Sequence, residues 1–381
     1  MTAMFRSRRD CEDGAAYFFL SDRQAADASG RCRRGVPSRK SDCGTLLYNI
    51  RLPATRQIGP MPMLGVWGVL CVGMILFAAV SGYGYSYGGR AFVASFAAFG
   101  ILFAGMLLFA ARGVLERIAA AGPGAGWLYG VALLLVYVLY ATGTGTLSFL
   151  RLGEVAVFLF VPLALLASAR GATAGAWQDL LVVAEIWVAV KFWPSRTIWP
   201  YPGGRLSYIL TVMLAVNLAI AGFLLLRRVK GAGYTFGWGS DWAFSILASL
   251  LAFACIAIPL GVKLRFIAFD VQWAHWKTES ALALGILFFT AWPEEFLFRG
   301  LLQNCLSRAM NSDLAGWVFA SVLFGFSHIT NGGFPNWRYV LLASIAGFFY
   351  GWTWRRTNSI FASAIVHGAV DVLWHFLFRT V

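Results

Sequence analysis

Two adjacent carboxylates and an arginine interrupt one of the most apolar stretches of the chain. The segment PEEFLFRG covers residues 293–300 and directly follows the run ALALGILFFTAW. Glu295 and Arg299 are four residues apart, so on a helix they share a face and can form a charge-assisted ion pair. Glu294 is rotated by about 100° from Glu295 and is left without that partner. It is therefore the carboxylate available for general-base chemistry, such as the activation of a water molecule.

Two further apolar segments carry histidines with the same helical spacing. Phe324 and His328 are four residues apart in FGFSH, and His367 and Asp371 are four residues apart in HGAVDVLWH. On a helix each pair lies on one face and can point into the interior of a bundle. Three helices would thus direct one glutamate, two histidines and one aspartate toward a common interior. That set is sufficient for a catalytic site.

Each of these groups also has a purely structural interpretation. Glu295 with its arginine is, taken alone, more simply an ion pair, and His328 is more simply a helix cap or an interfacial residue. His367 and Asp371 suit an interhelical hydrogen-bond pair equally well. Glu294 is the hardest to explain structurally, because burying an unpaired carboxylate costs several kcal/mol. One active site accounts for all of these residues together, whereas the structural interpretation must treat each separately.

Three other ionisable residues are interpreted as lying outside the site. His275 lies between tryptophans in VQWAHW and is interpreted as structural. His375 is one turn beyond the last motif and near the chain end, so direct involvement is disfavoured. Glu185, within an upstream apolar segment, is expected to pair locally or to face a cavity.

The elements that must position these residues are membrane-spanning helices. The 381 residues are 59% hydrophobic and only 13% charged, with a mean hydropathy of +0.68. A soluble chain would carry about twice that charged fraction. The sequence therefore predicts an all-α fold, a polytopic transmembrane helical bundle of about eleven spans. The predicted spans are 64–82, 91–111, 126–149, 155–169, 178–193, 206–226, 243–262, 281–304, 313–330, 338–354 and 359–378.

The chain divides into three segments by composition. Residues 1–60 are polar and Arg-rich and lack helical periodicity. A disordered cytoplasmic tail is the favoured interpretation; an extension upstream of a start at Met61 or Met63 is the alternative, and acidic residues disfavour a targeting peptide. Residues 61–262 form transmembrane helices of unassigned role. Residues 280–378 carry all three motifs.

The net charge of +14 does not indicate nucleic-acid binding. Eleven of the 31 Lys and Arg residues lie in residues 1–60, and most others flank apolar segments, where membrane proteins keep cations against lipid headgroups. No basic stripe with interleaved aromatic residues is present. The sequence predicts membrane lipid as a partner and no nucleic acid.

The order and spacing of the motifs resemble those of the CPBP family of intramembrane proteases. This family comprises CAAX prenyl proteases of the Ras-converting type and bacteriocin-processing enzymes, with E-E-x-x-x-R, F-x-x-x-H and H-x-x-x-N/D on successive apolar helices. The resemblance covers roughly residues 280–375. It implies a CPBP-type helical core in the C-terminal third and hydrolysis of a peptide bond within the bilayer. The matching residues are Glu294, Glu295 and Arg299, then Phe324 and His328, then His367 and Asp371.

The resemblance also implies roles for the individual residues. Glu294 would activate the attacking water, with His328 binding or orienting that water. His367 and Asp371 would stabilise the oxyanion of the tetrahedral intermediate. The ion pair of Glu295 with its arginine would hold the motif helix in place.

The last motif departs from the prenyl proteases, which carry Asn where this chain has Asp371. An ionised aspartate cannot donate a hydrogen bond to an oxyanion. Its role is therefore to be protonated, to orient His367, or to ligate a metal. Glu294, His328, His367 and Asp371 have the donor types of a site for a divalent metal such as zinc. A metal-free, glutamate-dependent mechanism is the alternative.

The expected substrate is a membrane-associated peptide or a lipidated protein tail. The resemblance further implies a multi-pass protein of a bacterial inner (plasma) membrane. Two other functions remain as alternatives. One is a proton-coupled transporter that uses the buried Glu, His and Asp as a relay, although no repeated halves are visible. The other is a catalytically silent membrane scaffold or immunity factor.

Overall fold

The computed structural model describes residues 56–80, 89–202, 204–271 and 282–381. Thirteen helices account for almost all secondary structure in these ranges, and the strands there form two short antiparallel pairs. The predicted all-α fold is therefore confirmed. The predicted tail up to residue 55 and the assignment of His275 lie outside the described residues.

The first nine helices precede the motif-bearing segment, and the last four contain it. The first nine are α1 (Pro60–Val80), α2 (Arg90–Phe109), α3 (Val114–Ala120), α4 (Gly124–Thr144), α5 (Phe149–Ser168), α6 (Trp177–Phe192), α7 (Ser195–Ile198), α8 (Gly204–Ala219, continued by the π-helix Ile220–Leu226) and α9 (Trp242–Lys263). The last four are α10 (residues 282–309), α11 (Asp313–Phe326), α12 (Trp337–Thr357) and α13 (Ile360–Leu377).

Short strands tie distant parts of the chain together. Strand β1 (Arg56–Gln57) pairs with β2 (Gly237–Trp238), so the last residues of the predicted tail contact the segment before α9. Strand β3 (Ile267–Phe269) pairs with β4 (Phe378–Thr380) and joins the ends of α9 and α13.

Every predicted span overlaps a helix in the described part of the chain. Six of these helices are long and apolar enough to cross a membrane by length and composition. They are α2, α4, α5, α8 with its π-helical continuation, α9 and α13. The helices at the other five predicted spans do not meet those criteria; α1 and α11 are shorter apolar helices. The fold is that of an integral membrane protein.

The buried apolar side chains form two clusters, and α10 contributes to both. One cluster lies among α2, α4, α5, α6 and α8, and α8 is almost completely buried at its centre. The other lies among α9, α11, α12 and α13. From α10, Phe288, Trp292 and Phe296 enter the first cluster, whereas Phe298 enters the second. The glutamates of α10 therefore lie where the two packed regions meet.

Polar caps define where the helices that carry the histidines begin. The side chain of Ser312 accepts a hydrogen bond from Ala315 N at the start of α11, and Ser359 does the same for Ala362 N at the start of α13. Asn336 caps α12 through Tyr339 N. Such caps satisfy amide groups that have no partner within the helix. They set the register in which each helix presents its polar residues.

Gly325 allows α11 and α12 to approach closely. A Cβ atom at this position would lie 2.5 Å from the carbonyl oxygen of Val340. This contact is too short for any side chain, so only glycine permits the crossing. The crossing holds the end of α11, and with it His328, against α12.

Candidate active site

The adjacent glutamates lie on a short α-helical turn between two π-helical segments of α10. The turn is Trp292–Glu295, preceded by the π-helix Leu287–Ala291 and followed by the π-helix Phe296–Gln303. Pro293 has no backbone N–H and its ring disfavours the regular preceding turn, which gives a local reason for the widening. Single π-helical turns are frequent at functional sites.

Glu295 is completely buried and connects α10 with α13. Its Oε1 lies 3.0 Å from Nδ1 of His367, and its Oε2 accepts a 2.5 Å hydrogen bond from Ser363 Oγ. Oε2 is also 3.2 Å from Nε of Arg299, so the predicted ion pair is present. The carboxylate therefore positions a histidine of another helix as well as pairing with its own arginine.

Arg299 is also fully buried, and its guanidinium group contacts mainly aromatic rings instead of hydrogen-bond acceptors. Its guanidinium carbon lies 4.9 Å from the centre of the Phe324 ring and 5.9 Å from that of Tyr350. Among the described residues, Nη1 and Nη2 have no hydrogen-bond acceptor. The charge is balanced by Glu295 and by the faces of these rings.

The ring of His367 is held by one hydrogen bond and by two aromatic rings. Because a carboxylate only accepts, Nδ1–H donates to Glu295. The ring stacks on Tyr350 at 4.6 Å and meets Phe324 edge-on at 5.6 Å. Nε2 consequently points toward Oδ2 of Asp371 at 3.5 Å and Oε2 of Glu294 at 3.9 Å.

His328, predicted on the ninth span, lies in the turn that follows the last helical residue of α11, Phe326. Its Nδ1 lies 2.9 Å from the carbonyl oxygen of Phe324, which only accepts, so Nδ1 carries the proton. Ser327 Oγ is also 3.0 Å from this nitrogen. In the neutral ring Nε2 is then an acceptor. This arrangement leaves Nε2 available to accept a hydrogen bond from water.

Glu294 faces a cavity of about 200 Å³ that His328 and Ser327 also line. Its side chain is 30% exposed, so water reaches it. Its Oε2 is nevertheless sheltered and has no hydrogen-bond partner among the described residues. The carboxylate expected from the helical geometry thus lies 3.9 Å from Nε2 of His367 and lines the same cavity as His328.

The four residues named as candidate metal ligands do not assemble into a metal site. Within the described ranges, no group of three or more His, Cys, Asp or Glu side chains has a geometry that could hold a metal ion. Nδ1 of His367 and Nδ1 of His328 are already engaged with protein acceptors. Nε2 of each ring stays available, so it is the positions of the described side chains, and not their chemistry, that do not form a metal site. The metalloprotease interpretation is not supported.

Sequence reasoning missed three side chains at the site. Ser363 had a usable signal, because it lies four residues before His367 and continues the spacing that led to Asp371. Tyr350 and Lys191 had none, since their contacts depend on how separate helices pack. Lys191 lies at the end of α6 and lines the cavity.

The residues placed outside the site stay outside it where they are described. Glu185 is half-buried on α6 and is not among the residues that line the cavity with Glu294. His375 is exposed near the end of α13.

Comparison with protein families assigns the motif-bearing region to a class. Residues 275–373 match the family described as type II CAAX prenyl endopeptidase Rce1-like. The matched range contains α10 to α12, most of α13 and every residue of the three motifs. No curated protein and no solved structure matches the chain.

The chain is thus an integral membrane protein with an Rce1-like domain, and the CPBP resemblance is confirmed. Because the Rce1-like family is a family of proteases, the match supports a CAAX-type intramembrane endopeptidase in general.

Proposed function

We propose that the protein hydrolyses a peptide bond of a membrane-associated or lipidated peptide, with a water molecule activated by Glu294. The observation that carries the proposal is the carboxyl group of Glu294: the side chain is 30% exposed and lines a cavity that His328 also lines, and its sheltered Oε2 has no hydrogen-bond partner among the described residues. As the resemblance implies, we place the protein in the inner (plasma) membrane of a bacterium.

In this mechanism, water binds between the carboxylate of Glu294 and Nε2 of His328. Glu294 takes a proton from the water as its oxygen attacks the carbonyl carbon of the scissile bond. The proton then passes from Glu294 to the nitrogen of the scissile bond as its bond to the carbonyl carbon breaks, so the amine leaves and the carboxylate is regenerated. General-base assistance of this kind contributes about 10²- to 10⁴-fold in rate.

His367 acts on the oxyanion of the tetrahedral intermediate. Glu295 holds Nδ1, so that Nε2 is aimed at the reacting centre in a fixed direction. Asp371, 3.5 Å from Nε2, orients the ring and favours its positive charge. An aspartate in this position therefore works through His367. Loss of one oxyanion donor costs about 10²- to 10³-fold in rate.

The test is proteolysis by the detergent-purified full chain. Prenylated and unmodified peptides are incubated with the wild type, Glu294→Gln and His328→Ala, each with and without a chelator. Glu185→Gln is the matched control, because it removes a half-buried carboxylate that does not line the cavity. We expect cleavage by the wild type and the control, and a loss of at least about 10²-fold in Glu294→Gln with unchanged thermal unfolding.

Equal cleavage by the wild type and Glu294→Gln would remove Glu294 as the base. Loss of cleavage on chelation would overturn the metal-free mechanism. If no peptide is cleaved by a folded wild type, the endopeptidase proposal fails, and transport or scaffolding becomes the better interpretation.

A further inference from the structure

The cavity that contains Glu294 is built only in part by the Rce1-like region. About half of its lining comes from α6 and α8, which lie outside residues 275–373. From these helices, apolar side chains such as Ile186, Val190 and Val212 face the cavity. The helices without an assigned role therefore form the wall against which a substrate would lie.

Among the side chains that α6 and α8 contribute to the cavity lining, Lys191 is charged. Lys191 is the single Lys or Arg among the described residues that line the cavity. It lies in the last turn of α6, and its Nζ donates a 2.7 Å hydrogen bond to Oδ1 of Asn331. Asn331 belongs to the turn that follows His328, since its N–H donates to the carbonyl oxygen of that residue. The ammonium group is thereby held beside the histidine.

The charge of Lys191 is close to the catalytic groups but is not neutralised by them. It lines the same cavity as Glu294 and His328. Among the described residues, however, no carboxylate lies within 4.0 Å of Nζ, and its hydrogen-bond partner is a neutral amide. An ammonium group has three donors, so two remain for a ligand. Lys191 is itself exposed, but apolar side chains line much of the cavity that it borders. An unneutralised cation beside such a surface attracts an anion more strongly than one surrounded by water on all sides.

We propose that Lys191 is a specificity-determining residue that binds a carboxylate of the peptide substrate. This inference rests on the proposed function, because the carboxylate belongs to the peptide that Glu294 cleaves. Two sources share this chemistry: the C-terminal carboxylate of the peptide and the side chain of an Asp or Glu residue.

The size of the cavity limits where the carboxylate lies relative to the scissile bond. A cavity of about 150 Å³ holds a benzene ring. At about 200 Å³, this one accommodates roughly one apolar side chain together with the charged group. The bond that is cleaved is therefore close in sequence to the carboxylate.

The experiment uses one apolar peptide, labelled with a fluorophore at its N-terminus, in three forms. The first has a free C-terminal carboxylate, the second a C-terminal amide, and the third the amide with an Asp at the penultimate position. Binding is measured by fluorescence anisotropy, and KM and kcat by cleavage. The proteins are the full-length wild type, Lys191→Met, Lys191→Arg and Lys263→Met, an exposed lysine in the last turn of α9 that does not line the cavity.

We expect the wild type and Lys263→Met to bind the free acid at least about tenfold more tightly than the plain amide, which corresponds to about 1.4 kcal/mol. Lys191→Met should lose this preference and Lys191→Arg should retain most of it. The loss should appear mainly in KM, because Lys191 does not touch the reacting atoms. If the Asp-containing amide binds as tightly as the free acid, a side-chain carboxylate is also accepted; if not, the C-terminus is the source.

Two results would overturn the inference: equal binding of all three peptides by the wild type, or an unchanged preference in Lys191→Met. Failure of the proposed function has a different signature. A preference for carboxylates that depends on Lys191, without any cleavage, would retain the binding site and reject the peptidase. Cleavage without a preference for carboxylates would retain the peptidase and reject the binding site at Lys191.

Discussion

Two buried ion pairs, one outside and one inside the Rce1-like region, use the same chemical groups in different ways. Asp179 and Arg227 connect the start of α6 with the end of the π-helix that continues α8. Glu295 and Arg299 lie within α10. All four side chains are buried, so each pair must compensate the cost of removing two charges from water.

The polar atoms of Asp179 and Arg227 form hydrogen bonds with each other and with nearby backbone groups. Two parallel contacts of 2.9 and 3.0 Å join the guanidinium to the carboxylate. The remaining donors reach the carbonyl oxygens of Ala172 and Thr173, each at 2.8 Å. The carboxylate also accepts from the backbone N–H of Gly175 at 2.8 Å. Such a bidentate, closed arrangement holds the fold and leaves nothing for a ligand.

The pair of Glu295 and Arg299 is less complete. One contact of 3.2 Å joins the two residues. The carboxylate also accepts hydrogen bonds from Ser363 Oγ and from Nδ1 of His367. The arginine is left with aromatic faces in place of acceptors. In the second pair, therefore, the arginine and the carboxylate make fewer contacts with each other, and the carboxylate holds a histidine of another helix instead.

The largest combined effect is expected for Glu295→Gln. It removes the charge that balances Arg299, which leaves an uncompensated buried cation and costs about 3–5 kcal/mol of stability. It also weakens the hydrogen bond that aims His367, so kcat should fall by about 10²-fold or more. Both are measurable, by SDS titration of folded protein and by peptide cleavage. A variant that loses stability but keeps kcat would contradict the positioning role.

Asp179→Asn breaks the ion pair of Asp179 with Arg227 and so tests whether the two pairs differ in function. We expect a loss of stability of about 3–5 kcal/mol, for the same electrostatic reason. The kcat of the fraction that stays folded should be unchanged, since this pair does not reach the cavity. SDS titration and active-site-normalised cleavage test this. A large fall in kcat would show that the two pairs are not functionally distinct.

Ser363→Ala should have a smaller effect on the same carboxylate. It deletes a buried hydrogen bond to a charged acceptor, which costs about 1.5–3 kcal/mol. A fall in kcat of roughly tenfold, equivalent to about 1.4 kcal/mol, is expected because Glu295 holds His367 less rigidly. Ser344→Ala is the matched control, since the only hydrogen bond of its hydroxyl within the described ranges goes to the carbonyl oxygen one turn earlier in α12. Equal kcat in the two variants would exclude this role for Ser363.

The smallest effect is expected for Arg299→Lys. The positive charge beside Glu295 is kept, but the planar group that stacks on Phe324 and Tyr350 is lost. Stability should fall by about 0.5–2 kcal/mol, and kcat should fall less than in Glu295→Gln. If Arg299→Lys matched Glu295→Gln in both measurements, ring stacking rather than charge would be the main function of the arginine.

The sequence by itself determined the helices and the neighbours within each helix. Residues four apart on one helix are forced together by local geometry. The Glu295–Arg299 contact and the 3.5 Å approach of His367 to Asp371 follow from that spacing. His328 lies in the turn after α11, and that turn keeps its ring 4.9 Å from the ring of Phe324. Composition alone sufficed for the all-α membrane fold, because apolar helices of this length have few other solutions.

Only the tertiary structure decided which helix faces meet. Glu295 reaches His367 across 72 positions of sequence, and Lys191 reaches Asn331 across 140. No periodicity encodes such contacts, because they depend on crossing angles and on small residues such as Gly325 that let helices approach. For this reason Glu295, predicted as the partner of its arginine alone, also holds His367. For the same reason, a lysine from a helix of unassigned role lies beside the site.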